Sequence, residues 1–205
     1  MYTNFNREQF MSIRALSFGF DGSLFHVYYA QSTEKNVIES NKKFLKSIKN
    51  DNLNYSKVIT FVGSERQSHG TDTIYAAVCN IGSCYPAIKE INHYLGANLD
   101  PLLLSDIYGG LTFGTSFERA LDEAYKGDHA KWIVDESKVS ILYAQMHKVA
   151  KDNPGEDIIF DFFDDRSKKE RKAEDVLEWL QKFYTDYPQL IPANVTLKVN
   201  HYSGG

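Results

Sequence analysis

The chain has 205 residues, 42% hydrophobic and 24% charged, with a formal net charge of −4. That length supports one sizeable core with room for a small subdomain on top, and the charge balance shows no basic excess of the kind that nucleic acid or an anionic membrane surface calls for. Aromatic residues reach 14%, which excludes a chain too poor in apolar surface to fold.

Residues 1–17 carry Asn4, Arg7, Glu8 and Arg14 and no apolar h-region, so no Sec-type signal peptide is predicted. No apolar run approaches the roughly 18–20 residues of a membrane span, and no membrane insertion is expected. Export by a route that reads another signal stays open. Cys79 and Cys84 fit neither a CxxC half-site nor a disulfide framework. They read as reduced, partly buried thiols in a reducing compartment.

In chain order, residues 13–20 form an apolar run that predicts a first strand, closed by the loop Asp21-Gly22-Ser23. Residues 24–29 are apolar and read as a short flap. Val37, Ile38, Phe44, Leu45 and Ile48 share one face of a helix predicted over 34–49. A second strand is expected over 57–62, ended by Gly63-Ser64. Residues 65–135 hold helix-like stretches at 73–78, 85–95 and 116–125 among several glycines. A structureless stretch of that length is uncommon in a compact domain, and an inserted cap is the expected arrangement. Val139, Leu142, Tyr143, Met146 and Val149 mark the inner face of a helix over 137–151, stopped by Asn153-Pro154-Gly155. A third strand over 157–163 ends in Asp164-Asp165, followed by a helix over 172–184 and a last strand over 195–199.

The alternation predicts an α/β fold, a central parallel sheet with helices on both faces in three layers. One domain spans 1–205, with its core at about 12–64 and 136–200 and the cap at about 65–135. Ser203-Gly204-Gly205 reads as a linker, making the chain the N-terminal part of something longer.

Ligands of open α/β sheets bind beyond the carboxyl ends of the strands, and four groups of residues fall there or at a helix start. Phe18 to Phe25 place Gly19 and Asp21 two apart, on one side of an extended chain. As a plain strand-turn, Asp21-Gly22 needs no further role. The strand over 57–62 ends in Gly63-Ser64, a hydroxyl at a strand end or an ordinary turn. Lys138 falls in the first turn of a helix, where it opposes the helix dipole at a cost of some tenths of a kcal/mol. It meets a compensating group or is a solvated surface lysine; Lys148 lies about three turns further on, too far from the helix start to take that place. Asp164 and Asp165 are adjacent acids at a strand end, which repel unless a cation screens them. They are metal ligands or a solvated acidic loop. Asp161, within the strand, reads as an edge-facing charge.

Other chemistry finds little support. No Walker loop or Gly-x-Gly-x-x-Gly fingerprint occurs. Asp106, Gly109-Gly110 and Gly114-Thr115-Ser116 form a substrate loop or a glycine turn that caps the next helix. The six histidines show no metal-ligand spacing, and Tyr28, Tyr29, Tyr75, Tyr85 and Tyr94 either line a pocket for an aromatic phosphate or pack.

In their order, the four groups resemble the motifs of haloacid dehalogenase-like (HAD-like) phosphohydrolases, over about residues 12–170. The resemblance implies a HAD-like Rossmannoid fold with an inserted cap and a Mg²⁺ site. In that family a first aspartate attacks phosphorus and a second protonates the leaving group, then activates water. Carried over, Gly19 stands at the nucleophile position and Asp21 is the acid/base and a metal ligand. Ser64 and Lys138 hold phosphate, Asp164 and Asp165 manage the metal, and Ser23 and Arg66 bind substrate. The implied ligand is a phosphorylated protein or small phosphoester, not a nucleic acid.

Residues 18–25, Gly63 to Ser68 and a compact cap further resemble the HAD-like phosphotyrosine phosphatase domains of Legionella type IV secretion effectors. That likeness implies the bacterial cytoplasm before secretion, then host cytosol and a host protein partner. Glycine has no side chain to attack with, so the chain as it stands is expected to be inactive or very weak. Three readings stay open: an aspartate replaced in this chain, a natural pseudo-phosphatase that binds phosphorylated ligands, or direct attack by water activated at Asp21.

Overall fold

A computed structural model describes residues 12–122, 124–125, 137–165 and 176–204. Strand β1 (Ile13–Phe18) is buried along its whole length, as a parallel strand covered on both faces must be. After it come helices α1 (Val27–Gln31), α2 (Val37–Ser40) and α3 (Lys42–Asp51), a 3-10 turn (Asn52–Asn54) and strand β2 (Lys57–Val62). Then follow α4 (His69–Cys79), α5 (Cys84–Leu95), β3 (Asn98–Leu99), α6 (Leu104–Tyr108) and α7 (Thr115–Leu121). The chain closes with α8 (Val139–Asp152), β4 (Ile158–Asp164), α9 (Val176–Asp186) and β5 (Val195–His201).

All five strands are parallel, in the order β3-β2-β1-β4-β5. Leu16 and Phe18 point from β1 into a cluster with Leu45 and Ile48 of α3 and Ile88 and Ile91 of α5. On the other face Ala15, Phe61, Phe160 and Phe162 meet Leu142 and Met146 of α8 and Leu180 of α9. The result is the expected α/β sandwich of three layers. Among the described residues no helix is long and apolar enough to cross a membrane.

Several boundaries depart from expectation for local reasons. The first strand stops at Phe18, because Ser23 and Phe25 both donate backbone bonds to the Phe20 carbonyl and fold the chain into a turn. The expected flap becomes α1, with Leu24 and Phe25 buried in the core. The helix expected over 34–49 is broken at Asn41, whose side chain donates to the carbonyls of Leu24 and Val37. The segment 65–135 does more than cap, since α5 packs in the core and β3 joins the sheet edge. The start of the helix expected at 172 lies outside the described residues.

Asp161 is not an edge-facing charge. Strand β4 is internal, between β1 and β5, and Arg14 of β1 donates from Nε to Asp161 Oδ2 at 2.9 Å, both side chains being 7% exposed. Arg14 also donates to Asn52 at 3.0 Å, and Asn200 of β5 donates to Asp161 Oδ1 at 3.2 Å. Removing one member of a buried pair strands the other charge, so Asp161→Ala should lower stability by about 3–5 kcal/mol in urea unfolding. A loss below about 1 kcal/mol would mean that water reaches Arg14.

Candidate functional site

The chain lays β1, β2 and β3 to one side, then crosses back to place β4 beside β1. In such sheets the crevice opens at this reversal, beyond the strand ends. The loop after β1 and the end of β4 are the two segments that meet there, so Gly19, Asp21, Asp164 and Asp165 gather at one point.

Gly19 continues the ladder, its N–H donating to the Phe163 carbonyl at 2.7 Å. A Cβ built on it would lie 2.8 Å from Asp164 Oδ2, 3.0 Å from Asp164 Cγ and 3.1 Å from the Phe163 carbonyl oxygen. The Asp164 carboxylate thus stands where a side chain of residue 19 would begin. Gly22 has φ +79°, and a Cβ there would overlap the Asp165 carboxylate. Only glycine lets this loop close against the end of β4.

Lys138 comes one residue before α8, as its N-cap rather than in its first turn, with φ +67°. A non-glycine residue held in the left-handed region costs roughly 1–2 kcal/mol, and such positions concentrate at functional sites. Here the conformation accompanies a buried ammonium. Nζ donates to the Gly63 carbonyl at 3.0 Å and lies 3.4 Å from Asp164 Oδ2. Lys138 therefore ties the end of β2 to the end of β4. Ser64 follows at the same end, buried, with Oγ accepting the Arg66 N–H at 3.1 Å. Ser23 is buried too, and among the described residues its hydroxyl has no hydrogen-bond partner.

Arg66 has the most distinctive surroundings. Its side chain is 0% exposed. Nε and Nη2 fork onto the two oxygens of Asp21 at 3.0 and 2.5 Å. Nη1 donates to Asp72 at 3.2 Å and to the Gly82 carbonyl at 2.8 Å. The rings of Phe25 and Tyr75 lie 5.8 and 5.5 Å from the guanidinium. Burial works against the charge, but the bond to Asp21 and the charges of Asp21 and Asp72 outweigh it and raise the Arg66 pKa above its usual value. Arg66 thus acts on Asp21 from below, and Asp21, 27% exposed, is the member of the pair that faces solvent.

Partners that sequence reasoning missed complete the frame. Asp72 accepts from Arg66 and from the Cys84 N–H at 3.1 Å, six positions along from Arg66 on the face of α4 turned inward. Gln67 donates to the carbonyls of Val62 and Ser64 while accepting from the Leu104 N–H. Gln145 donates to the Val62 carbonyl and accepts from Ser17. No sequence pattern marks these glutamines, because their partners, backbone groups and the Ser17 hydroxyl, meet them only in the fold. Tyr85 packs fully buried and donates to the Arg66 carbonyl, and Tyr28 is exposed on α1. Burial and the nearby Asp72 push the Cys84 thiol well above its ordinary pKa, so it is an inert neutral group. Asp106 accepts from the N–H groups of Gly114 and Ser116, which makes it the cap of α7.

Two of the three carboxylates expected to manage Mg²⁺ are engaged within the protein. Asp21 has both oxygens on Arg66. Asp164 has one on the Asp165 N–H at 2.8 Å and the other beside Lys138. Mg²⁺ is commonly held by one or two carboxylates, with waters and substrate phosphate completing its shell, and among the described residues no group of three or more His, Cys, Asp or Glu side chains stands together. No family model matches the chain, and neither a curated protein nor a solved structure does.

Proposed function

We propose that the crevice is a HAD-like phosphoester site that binds a phosphorylated protein or small phosphoester and turns it over very weakly or not at all. The observation that carries this reading is the Asp164 carboxylate set against Gly19 and bound to Lys138: the place of an attacking side chain is taken. Asp21 gives a second reason. A general acid must deliver a proton, and both of its oxygens accept from a guanidinium that does not give its protons up. The buried lysine in a strained conformation and the Ser64 hydroxyl are the groups that would receive a phosphoryl oxyanion, which displaces Asp164 from Lys138. By the narrower resemblance, the ligand is a phosphotyrosine protein met in a host cytosol after secretion.

Orthovanadate and inorganic phosphate should each raise the thermal midpoint of the natural chain. Lys138→Met should abolish that rise, and hydrolysis of an aryl phosphate should stay at background with or without Mg²⁺. Absence of any shift with either anion would sink the phosphoester reading, and steady Mg²⁺-dependent turnover by the natural chain would sink the pseudo-phosphatase part of it.

A further inference from the structure

Helix α3 carries Lys42, Lys43, Lys46 and Lys49, all exposed, while Leu45 and Ile48 on its other side are buried in the core. Residues of an α-helix follow one another by about 100°, so positions 42, 46 and 49 form one stripe along the outer face. The 3-10 turn that continues α3 adds Leu53 near the line of that stripe, and this leucine is 80% exposed. Lys42 pairs with Glu39 at 3.2 Å. Lys49 lies over the Tyr94 ring at 4.7 Å, and among the described residues Lys43, Lys46 and Lys49 make no ion pair. Glu39 and Asp51 flank the run, and its middle is purely cationic.

The net charge of −4 does not describe this face. Charges more than about 10 Å away are screened at ordinary salt, so a partner approaching the middle of α3 meets chiefly lysines, with Glu39 and Asp51 at the two ends. A basic row with a protruding aliphatic tip fits an anionic lipid surface: the lysines reach headgroups and the leucine enters the interface. Nucleic acid would be met by the lysines but has no use for the leucine, and the stripe lacks the aromatic platforms that single strands stack on.

We propose that α3 and Leu53 dock the protein peripherally on an anionic bilayer, without insertion of any span. This stands apart from the crevice reading and fails or holds without it. The test is co-sedimentation with phosphatidylcholine vesicles, with and without about one third phosphatidylserine. The natural chain should bind only the anionic vesicles at about 0.05 M salt and release at about 0.5 M. Lys46→Gln with Lys49→Gln should weaken partitioning about 25-fold, at roughly fivefold per lysine. Leu53→Ser should weaken it several-fold, while circular dichroism melts stay unchanged because all three residues are exposed. Equal binding to neutral vesicles, no binding at all, or variants that partition like the natural chain would each overturn the proposal. So would tight binding of an oligonucleotide, with no vesicle binding, that Leu53→Ser leaves intact.

Discussion

Arg66→Met should lower unfolding stability by about 3–5 kcal/mol, the cost of removing one partner from a buried charge cluster. Methionine keeps much of the stem volume but donates nothing. Asp72, almost wholly buried, loses its guanidinium, and the Gly82 carbonyl loses a donor. Asp21 is 27% exposed and recovers part of its loss from water, which pulls the expectation towards the lower end of the range. Arg66→Lys should rescue little, because an ammonium cannot fork onto both oxygens of Asp21 while reaching Asp72. Asp21→Asn combined with Arg66→Met should cost less than the two single changes together, since they share one interaction.

The pH dependence follows from the direction of the shift. The Arg66 pKa is raised in the folded chain, so its contribution is complete below the unfolded value and fades only as pH climbs through the folded one. The difference between natural chain and variant should therefore be the same at pH 7 and pH 9. Urea titrations at both pH values check this, and a penalty under about 1 kcal/mol would show that Arg66 is an ordinary loop arginine.

Gly19→Asp should destabilise the protein by about 1–3 kcal/mol in the absence of divalent cations. The added Cβ falls 2.8 Å from Asp164 Oδ2 and 3.1 Å from a backbone oxygen, so the site is overpacked before the new charge is counted. That charge then faces Asp164 at a strand end where Asp165 already stands. Gly19→Ala separates the two effects, as it carries the steric cost alone. If the HAD-like reading is right, the extra carboxylate supplies the oxygens that the natural arrangement withholds. Mg²⁺ should then raise the midpoint of the aspartate variant and leave the alanine variant unmoved, and aryl phosphate hydrolysis should appear in the aspartate variant only. Equal responses of both variants to Mg²⁺, with turnover in neither, would leave the crevice without a phosphatase ancestry.

The legible parts of the site were those set by strand ends. Gly19, Asp21, Ser64, Asp164 and Asp165 each follow a run whose apolarity marks it as a strand, and parallel strands bring such ends to one edge of the sheet. Lys138 was legible as a helix start, from the spacing of Val139, Leu142 and Met146 behind it. The pairing of these groups was not legible. Whether Asp21 meets a cation from the medium or Arg66 depends on how the loop 63–68 lies over the end of β1, which involves residues 45 positions apart. Elements of two and five residues, β3 and α6, are too short to show a period.

Hydrophobic spacing along the chain determined that this protein is an α/β sandwich and which strand ends carry its polar groups, because apolar runs and helical stripes must be buried wherever they fall. The tertiary structure alone decided the charges. It placed Arg14 against Asp161, Arg66 beneath Asp21 and Lys138 beside Asp164. A buried ion finds its counter-ion in space, from segments whose distance along the chain carries no information about their contact.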